Sequence, residues 1–315
     1  MKKEIKEQPI LLSIRCIVFN HEPYLRKCLE GFVMQKTNFR FIAIVHDDAS
    51  TDNSAAIIRE FEEKYPDIIK PIYEEENQWS KHDGSLKRIL NEHTVGKYVA
   101  LCEGDDCWTD SNKLQKQVDF LEAHPDYSLC FHNAVVHWVD GSAPDRLMMD
   151  GTYSEREYKA ETLYTDWFYA TASLVFRRSV YDCKAYKQFQ TKNMIIGDVP
   201  LMMSATTVGK IYGFTDIMSI YNRHNMGVSS QYEFYLCIFR LEMAVAEIID
   251  GNICKLWRQV KMKYAVRRAF FELYTKRNTS FFVDVVKMAC KNYPFAFLYM
   301  ALIFNLKYLK SSILH

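Results

Sequence analysis

Three carboxylates fall within four residues at Glu103-Gly104-Asp105-Asp106, directly after the short apolar run Tyr98-Val99-Ala100-Leu101-Cys102. Carboxylates this close repel one another unless a cation lies between them, and the preceding run has the composition of a buried strand. Hard oxygen ligands on a loop suit Mg²⁺ or Mn²⁺. Magnesium is usually held by one or two carboxylates together with substrate phosphates, so a nucleoside diphosphate is the first ligand to consider. An acidic, solvated turn capping the next helix is the plain alternative. The elements around the cluster must decide between them.

Residues 11–102 alternate short apolar runs with helical patterns. The runs 11–19, 39–46, 68–73 and 98–102 predict strands. Leu25, Cys28, Leu29, Phe32 and Val33 recur at spacings of three and four, which predicts a helix over 23–35 with Pro23 in its first turn. Ser50-Thr51-Asp52 is a helix-start signal, with Asp52 read as a cap rather than a ligand, before a helix on which Ile57, Ile58, Phe61 and Tyr65 share a face. A further helix is expected over 84–93. Strands alternating with helices imply a mainly parallel sheet with helices on its faces. Asn20, Asp47-Asp48, Glu76-Asn77 and the acidic cluster then each follow a strand, along the carboxyl edge where open parallel sheets bind ligands. This convergence favours a ligand site over a solvated turn. Neither GxGxxG after the first strand nor GxxxxGK[ST] occurs, which disfavours a Rossmann dehydrogenase and a P-loop enzyme.

Downstream, Leu114, Val118 and Leu121 mark a helix over 113–123, ended by His124-Pro125-Asp126. Strands are expected over 127–138, 171–176 and 210–220, and the polar, turn-rich stretch 141–161 is expected to form a loop over the site. Within 195–207, Gly197-Asp198 followed by Pro200 opens a helix whose Met202 and Met203 belong to the core. Trp108 is read as packing, and His46, His82, His132 and His137 receive no role. From Glu233 the pattern is helical to the end, so the expected domains are 1–229 and a C-terminal helical region 230–315.

The chain has 40 basic and 39 acidic residues, a balance that argues against a nucleic-acid binder held by a basic face. Its nine cysteines show neither CxxC pairs nor zinc spacing, which argues against a disulfide framework and fits a reducing cytosol. The apolar run 10–19 is broken by Arg15 and lacks a small-residue cleavage site, so a strand is expected there and not a signal peptide. No segment reaches the length of a transmembrane helix. The apolar run 294–306 is flanked by Lys287, Lys291, Lys307 and Lys310. It suits either a helix packed on the preceding domain or a peripheral contact with anionic lipid.

Three segments in order carry a resemblance: Phe19-Asn20-His21-Glu22-Pro23-Tyr24-Leu25, then His46-Asp47-Asp48-Ala49-Ser50-Thr51-Asp52-Asn53, then Glu103-Gly104-Asp105-Asp106-Cys107-Trp108. With Ile196-Gly197-Asp198 and Tyr221-Asn222-Arg223-His224, followed by Gly227-Val228-Ser229, they resemble the family-2 glycosyltransferases over about residues 11–229. The resemblance implies the GT-A fold, a Rossmann-like nucleotide-binding α/β architecture. It implies that Asp48 binds the nucleoside while Phe19, Asn20 and Glu22 line the base and ribose pocket, with Lys81 and Arg88 competing as the basic nucleotide contact. Glu103-Gly104-Asp105 resembles the family's DxD motif with Glu in first place. Asp105 is then a metal ligand, Glu103 a contact to ribose or to metal-bound water, and Asp106 a second ligand or an acceptor contact. Asp198 resembles the catalytic base. Arg223 is placed to pair with phosphate, and His224 to reach the metal or the phosphates. The implied activity is inverting, Mn²⁺- or Mg²⁺-dependent transfer of a sugar from a nucleotide-sugar donor, UDP first among them, to a carbohydrate or lipid-linked acceptor in surface polysaccharide assembly. The implied place is the cytoplasm, with the inner face of the plasma membrane if the C-terminal run touches lipid. A sugar-nucleotide nucleotidyltransferase is disfavoured because Val18-Phe19-Asn20-His21-Glu22 is neither glycine-rich nor basic, and a non-catalytic glycan binder because Asp105, Asp106 and Asp198 are retained.

Overall fold

The structure is a computed structural model describing residues 8–192, 196–225 and 234–249, together with Val283, Val286, Lys287 and Leu298. Gly227-Val228-Ser229 and, apart from Leu298, the run 294–306 lie outside the described residues.

The amino-terminal half is built as the periodicity requires. Strand β1 (Ile10–Val18) leads to helix α1 (Glu22–Val33), β2 (Arg40–Asp47) to α2 (Ser54–Lys64), and β3 (Ile69–Tyr73) through a short 3₁₀ turn to α3 (Ser85–His93) and β4 (Tyr98–Leu101). β1 pairs in parallel with both β2 and β4, and β2 with β3. A central parallel strand is covered on both faces, which is why even Ser13 and Arg15 of β1 are buried. Leu12, Ile14, Cys16 and Val18 enter a core with Leu25, Leu29 and Phe32 of α1, while Ile17 packs beside Ile42, Ile44, Leu86 and Leu90 on the other side.

The second half completes the sheet. β5 (Cys107–Trp108), α4 (Lys113–Ala123) and β6 (Tyr127–Trp138) are followed by two short strands, β7 (Arg146–Leu147) and β8 (Arg156–Tyr158). Next come α5 (Ala160–Thr165), a 3₁₀ turn (Thr171–Ser173), β9 (Val175–Arg177), α6 (Lys184–Gln190), α7 (Asp198–Ala205) and β10 (Lys210–Arg223). The sheet runs β3-β2-β1-β4-β9-β6-β10-β5, with β7 on β6 and β8 on β10. β9 is antiparallel to β4 and β6, whereas β6 and β10 are parallel, so the sheet is mixed and mainly parallel.

The stretch 141–161 is not an unstructured loop: β7 and β8 add to the sheet as antiparallel partners. Their two and three residues are too short to show periodicity. Likewise the apolar run 171–176 begins as a 3₁₀ turn before β9 forms, and α6 lacks the length for a helical pattern to stand out. The chain divides into two compact units, Met1–Gly227 and Val228–His315. In the second, α8 (Phe234–Ile248) buries Leu241, Ala244 and Val245 along one face. Among the described residues no helix is long and apolar enough to cross a membrane.

Candidate active site

The first two loops at the carboxyl edge are laced together. Backbone N–H groups of Asn20, His21 and Glu22 donate to Ser50 Oγ (3.0 Å), Ser54 Oγ (3.0 Å) and Asp52 Oδ2 (3.0 Å). In return Asn20 Oδ1 accepts from the Thr51 N–H, and the Glu22 carboxylate from the N–H and Nδ2 of Asn53. Asn20 and Ala49 both adopt left-handed backbone, φ 57° and 62°, which Asn tolerates and Ala does not favour. Asp52 stands one residue before the N-cap Asn53, and its Oδ1 also accepts from the Ser54 N–H at the start of α2. Asn20 and Glu22 therefore hold the loops together, and Phe19, 43% exposed, is the member of this group that offers an open face.

The third loop is the acidic turn. Gly104 permits its approach, because a Cβ there would lie 2.8 Å from His21 Nδ1 and 2.9 Å from Val18 Cγ2. Asp105 Oδ2 lies 3.1 Å from His224 Nε2 and 3.8 Å from His21 Nε2. The His224 ring stacks on Tyr24, centroids 4.9 Å apart at 19°. Burial alone would raise the Asp105 carboxyl, but the His224 hydrogen bond and the field of His21 bring it below its ordinary value. Asp106 turns inward: its Oδ1 accepts from the Asn222 N–H at 3.0 Å, and burial, then Asp105 and Glu103, push its carboxyl well up. Glu103 keeps contact with solvent, while crowding by protein, then Asp105 and Asp198, raises its carboxyl.

Asp105 Oδ1 is buried without a hydrogen-bond partner. Beside an imidazole on the other oxygen, that orphaned acceptor fits a divalent ion held by few protein ligands and completed by phosphates. Asp106 gives its Oδ1 to the Asn222 N–H, and its Oδ2 is, like Asp105 Oδ1, buried without a hydrogen-bond partner. Among the described residues no group of three or more His, Cys, Asp or Glu forms a closed metal cage.

Asp198 opens α7 and closes the far side of the cleft. Its Oδ1 accepts from the Val199 N–H, and the Thr171 hydroxyl lies 3.5 Å from Oδ2. Burial raises its carboxyl, and its field reaches Glu103. The Thr171–Ser173 turn is fixed from behind: the Trp108 indole N–H donates to Ala172 O (2.8 Å) and Gln117 Nε2 to Ser173 O (2.9 Å). Lys113 is fully buried there, donating to Gln117 Oε1 with its Nζ 4.1 Å from the Trp108 centroid, and burial lowers its ammonium to about 7.

Glu103, Asp105, Asp198 and His224 are thus brought to one cleft, and four other candidates have different partners. Asp48 is buried, its oxygens accepting from the N–H groups of Gln78 (2.6 Å) and Trp79 (3.0 Å), so it anchors the loop after β3. Lys81 pairs with Glu76, and Arg88 with the Asp83 carboxylate and carbonyl. Arg223 lies with its guanidinium 5.8 Å from the Trp138 centroid. Sequence reasoning passed over His21, whose position inside the first motif was its only signal. It also passed over Lys87, which sits between Lys81 and Arg88 on α3 and whose ammonium is lowered by burial and by Arg15.

The family model for glycosyl transferase family 2 matches residues 13–184. An uncharacterized protein of Mycobacterium tuberculosis is 36% identical over 217 residues, 69% of this chain and 60% of its own length. This chain therefore spans about 60% of that relative. The putative teichuronic acid biosynthesis glycosyltransferase TuaG of Bacillus subtilis is 23% identical over 286 residues, 89% of this chain and 96% of its own. In fold the chain is similar to S. aureus TarS 1–349 in complex with UDP-GlcNAc (TM-score 0.57, 16% identity, 77% of this chain and 68% of that one). It is also similar to the mannosyltransferase PcManGT of Pyrobaculum calidifontis in complex with GDP-Man and Mn²⁺ (TM-score 0.51, 14% identity, 96% and 88%). The motifs at the sheet edge, the GT-A architecture that carries them and a family match over more than half of the sequence agree: the chain belongs to glycosyl transferase family 2.

Proposed function

We propose that this chain is an inverting glycosyltransferase that moves a sugar from a nucleotide-diphosphate donor, UDP first among the candidates, to a hydroxyl of a carbohydrate or lipid-linked acceptor in cell-surface polysaccharide assembly. The observation that carries the reading is the meeting of Asp105 and His224 with Asp198 around Glu103: one side can hold a diphosphate, the other can take a proton. The names of TuaG and of the TarS complex with UDP-GlcNAc support the donor and the polysaccharide.

Asp105 and His224 are the residues that would hold Mn²⁺ or Mg²⁺; when bound, such an ion neutralises charge on the departing diphosphate. Glu103 stands at the solvent-facing floor, in reach of the ribose side. Phe19 offers its open ring to the base. Asp198, raised by burial, is a stronger base than an ordinary carboxylate. It removes the acceptor proton as the hydroxyl attacks the anomeric carbon opposite the leaving group, and a single displacement inverts configuration. We place the reaction in the cytoplasm, a reading supported by free thiols such as Cys16 and Cys28, whose sulfurs lie 4.0 Å apart without a bridge.

The test is calorimetry with UDP and GDP, with and without Mn²⁺, beside turnover of two variants. Asp105→Asn should bind nucleotide weakly and turn over little. Asp198→Asn should keep nucleotide binding and lose about 10²–10⁴ in transfer rate. Wild-type protein that binds neither UDP nor GDP with or without Mn²⁺, or a product retaining the donor's anomeric configuration, would overturn the reading.

A further inference from the structure

We propose that the surface formed by Trp167, Tyr221, Trp138, Arg146 and Arg223 binds the acceptor, and that this acceptor is an anionic saccharide or polyol chain. The inference rests on the reading of the cleft as a glycosyl-transfer site.

Asn222 ties the end of β10 to the acidic turn, its Nδ2 donating to Asp105 O at 2.6 Å. Successive strand residues alternate in direction, so Tyr221 and Arg223 leave β10 on the opposite face. There Tyr221 and Trp138 pack against the buried cluster Ala134, Val136, Met148 and Ala170. Trp167 is 48% exposed and meets Tyr221 edge-on, centroids 5.7 Å apart at 83°. Ala170 lies one residue before Thr171, which faces Asp198. The surface therefore leaves β10 on the face away from the Asn222 side chain and reaches, through Ala170, the segment against the candidate base. That is where an attacking hydroxyl must arrive.

The chemistry of the surface specifies what it takes. A supported, exposed indole is a flat apolar platform of the kind that packs on the C–H face of a pyranose or on a polyol backbone. Beside it two guanidinium groups converge on one ring, Arg146 at 5.7 Å and Arg223 at 5.8 Å from the Trp138 centroid. Among the described residues neither has a carboxylate within ion-pair distance, and the acidic group that feels Arg146 is Asp150. Two like charges on one aromatic ring repel. Arg146 donates from Nη1 to Leu147 O at 3.2 Å, and a phosphate or carboxylate at either guanidinium gains charge-assisted hydrogen bonds that a neutral sugar does not.

The full chain is titrated with three probes of matched length, poly(glycerol phosphate), oligogalacturonate and dextran, by fluorescence quenching and affinity electrophoresis. At least one anionic probe should bind about tenfold tighter than dextran and weaken with salt, and which one binds separates phosphate from carboxylate. Arg146→Glu and Trp167→Ala, on separate segments and checked for an unchanged melting temperature, should each weaken that binding about tenfold. Anionic chains that bind no better than dextran, an oligouridylate that binds equally well, or folded variants that bind like wild type would each overturn the proposal. Wild-type affinity for UDP, measured separately, tests the underlying reading without depending on any of these chains.

Discussion

Asp52 shows how much a single carboxylate can do away from the chemistry. Its two oxygens accept backbone N–H groups from Glu22 and Ser54, so one side chain ties down the starts of α1 and α2 beside the carboxyl edge of the sheet. Burial works to raise its carboxyl, yet hydrogen bonds from Ser54 and Glu22, with the field of His21, hold it below the ordinary value. A folded-state value below the unfolded one means that this stability is fully present above the unfolded carboxyl's range near pH 4 and is lost as pH falls through the lower folded value. Asp52→Ala should therefore cost about 1–2 kcal/mol at pH 7, read by urea denaturation, and the difference from wild type should shrink as pH falls below the unfolded carboxyl's range near pH 4. A gap that stays constant down to pH 2 would show that the carboxylate charge plays no part. The contrast with Asp105 is instructive: both residues have lowered carboxyls, but Asp105 keeps one oxygen unpartnered, as a binding group must.

At the scale of elements, the site depends on how closely three loops approach. The acidic turn reaches the end of β1 because residue 104 has no side chain, and β1 in turn carries the loop that presents His21. Gly104→Ala places a methyl within van der Waals radii of His21 and Val18, and overpacking of this kind typically costs about 1–3 kcal/mol. The expected outcome is a lower melting temperature and, in the same variant, a loss of nucleotide affinity, because the turn must back away from His21 and His224. A variant that lost stability while binding UDP with wild-type affinity would separate the packing role of Gly104 from the site. On the other flank, the Thr171–Ser173 turn beside Asp198 depends on Trp108 and Gln117 from different elements, contacts that span 64 and 56 residues of sequence.

For the molecule as a whole, the unpartnered acceptor of Asp105 and the crowding of the Glu103, Asp105 and Asp106 carboxyls make this turn a place that a bound cation stabilises. UDP with Mn²⁺ at about 100 times its Kd should add about 2.7 kcal/mol, read as a rise of several degrees in melting temperature. UDP without metal should give a smaller rise, and equal shifts with and without Mn²⁺ would count against Asp105 as a metal ligand. The sequence by itself determined the strand and helix order to β6 apart from the two-residue β5, the family motifs, the helix-start role of Asp52 and the place of Asp198 at a helix start. Each of these is local: apolar period, turn chemistry and capping are read within a few residues. Only the tertiary structure decided which candidates meet. Asn20 and Glu22 are taken up by loops about 30 residues away, Asp48 by the chain after β3, Asp106 by β10, and Arg223 by Trp138. It also decided that β7 and β8 join the sheet and that β9 runs antiparallel. A carboxylate's role depends on which donors reach it first, and those donors come from distant segments whose approach is set by core packing, which no local pattern of residues records.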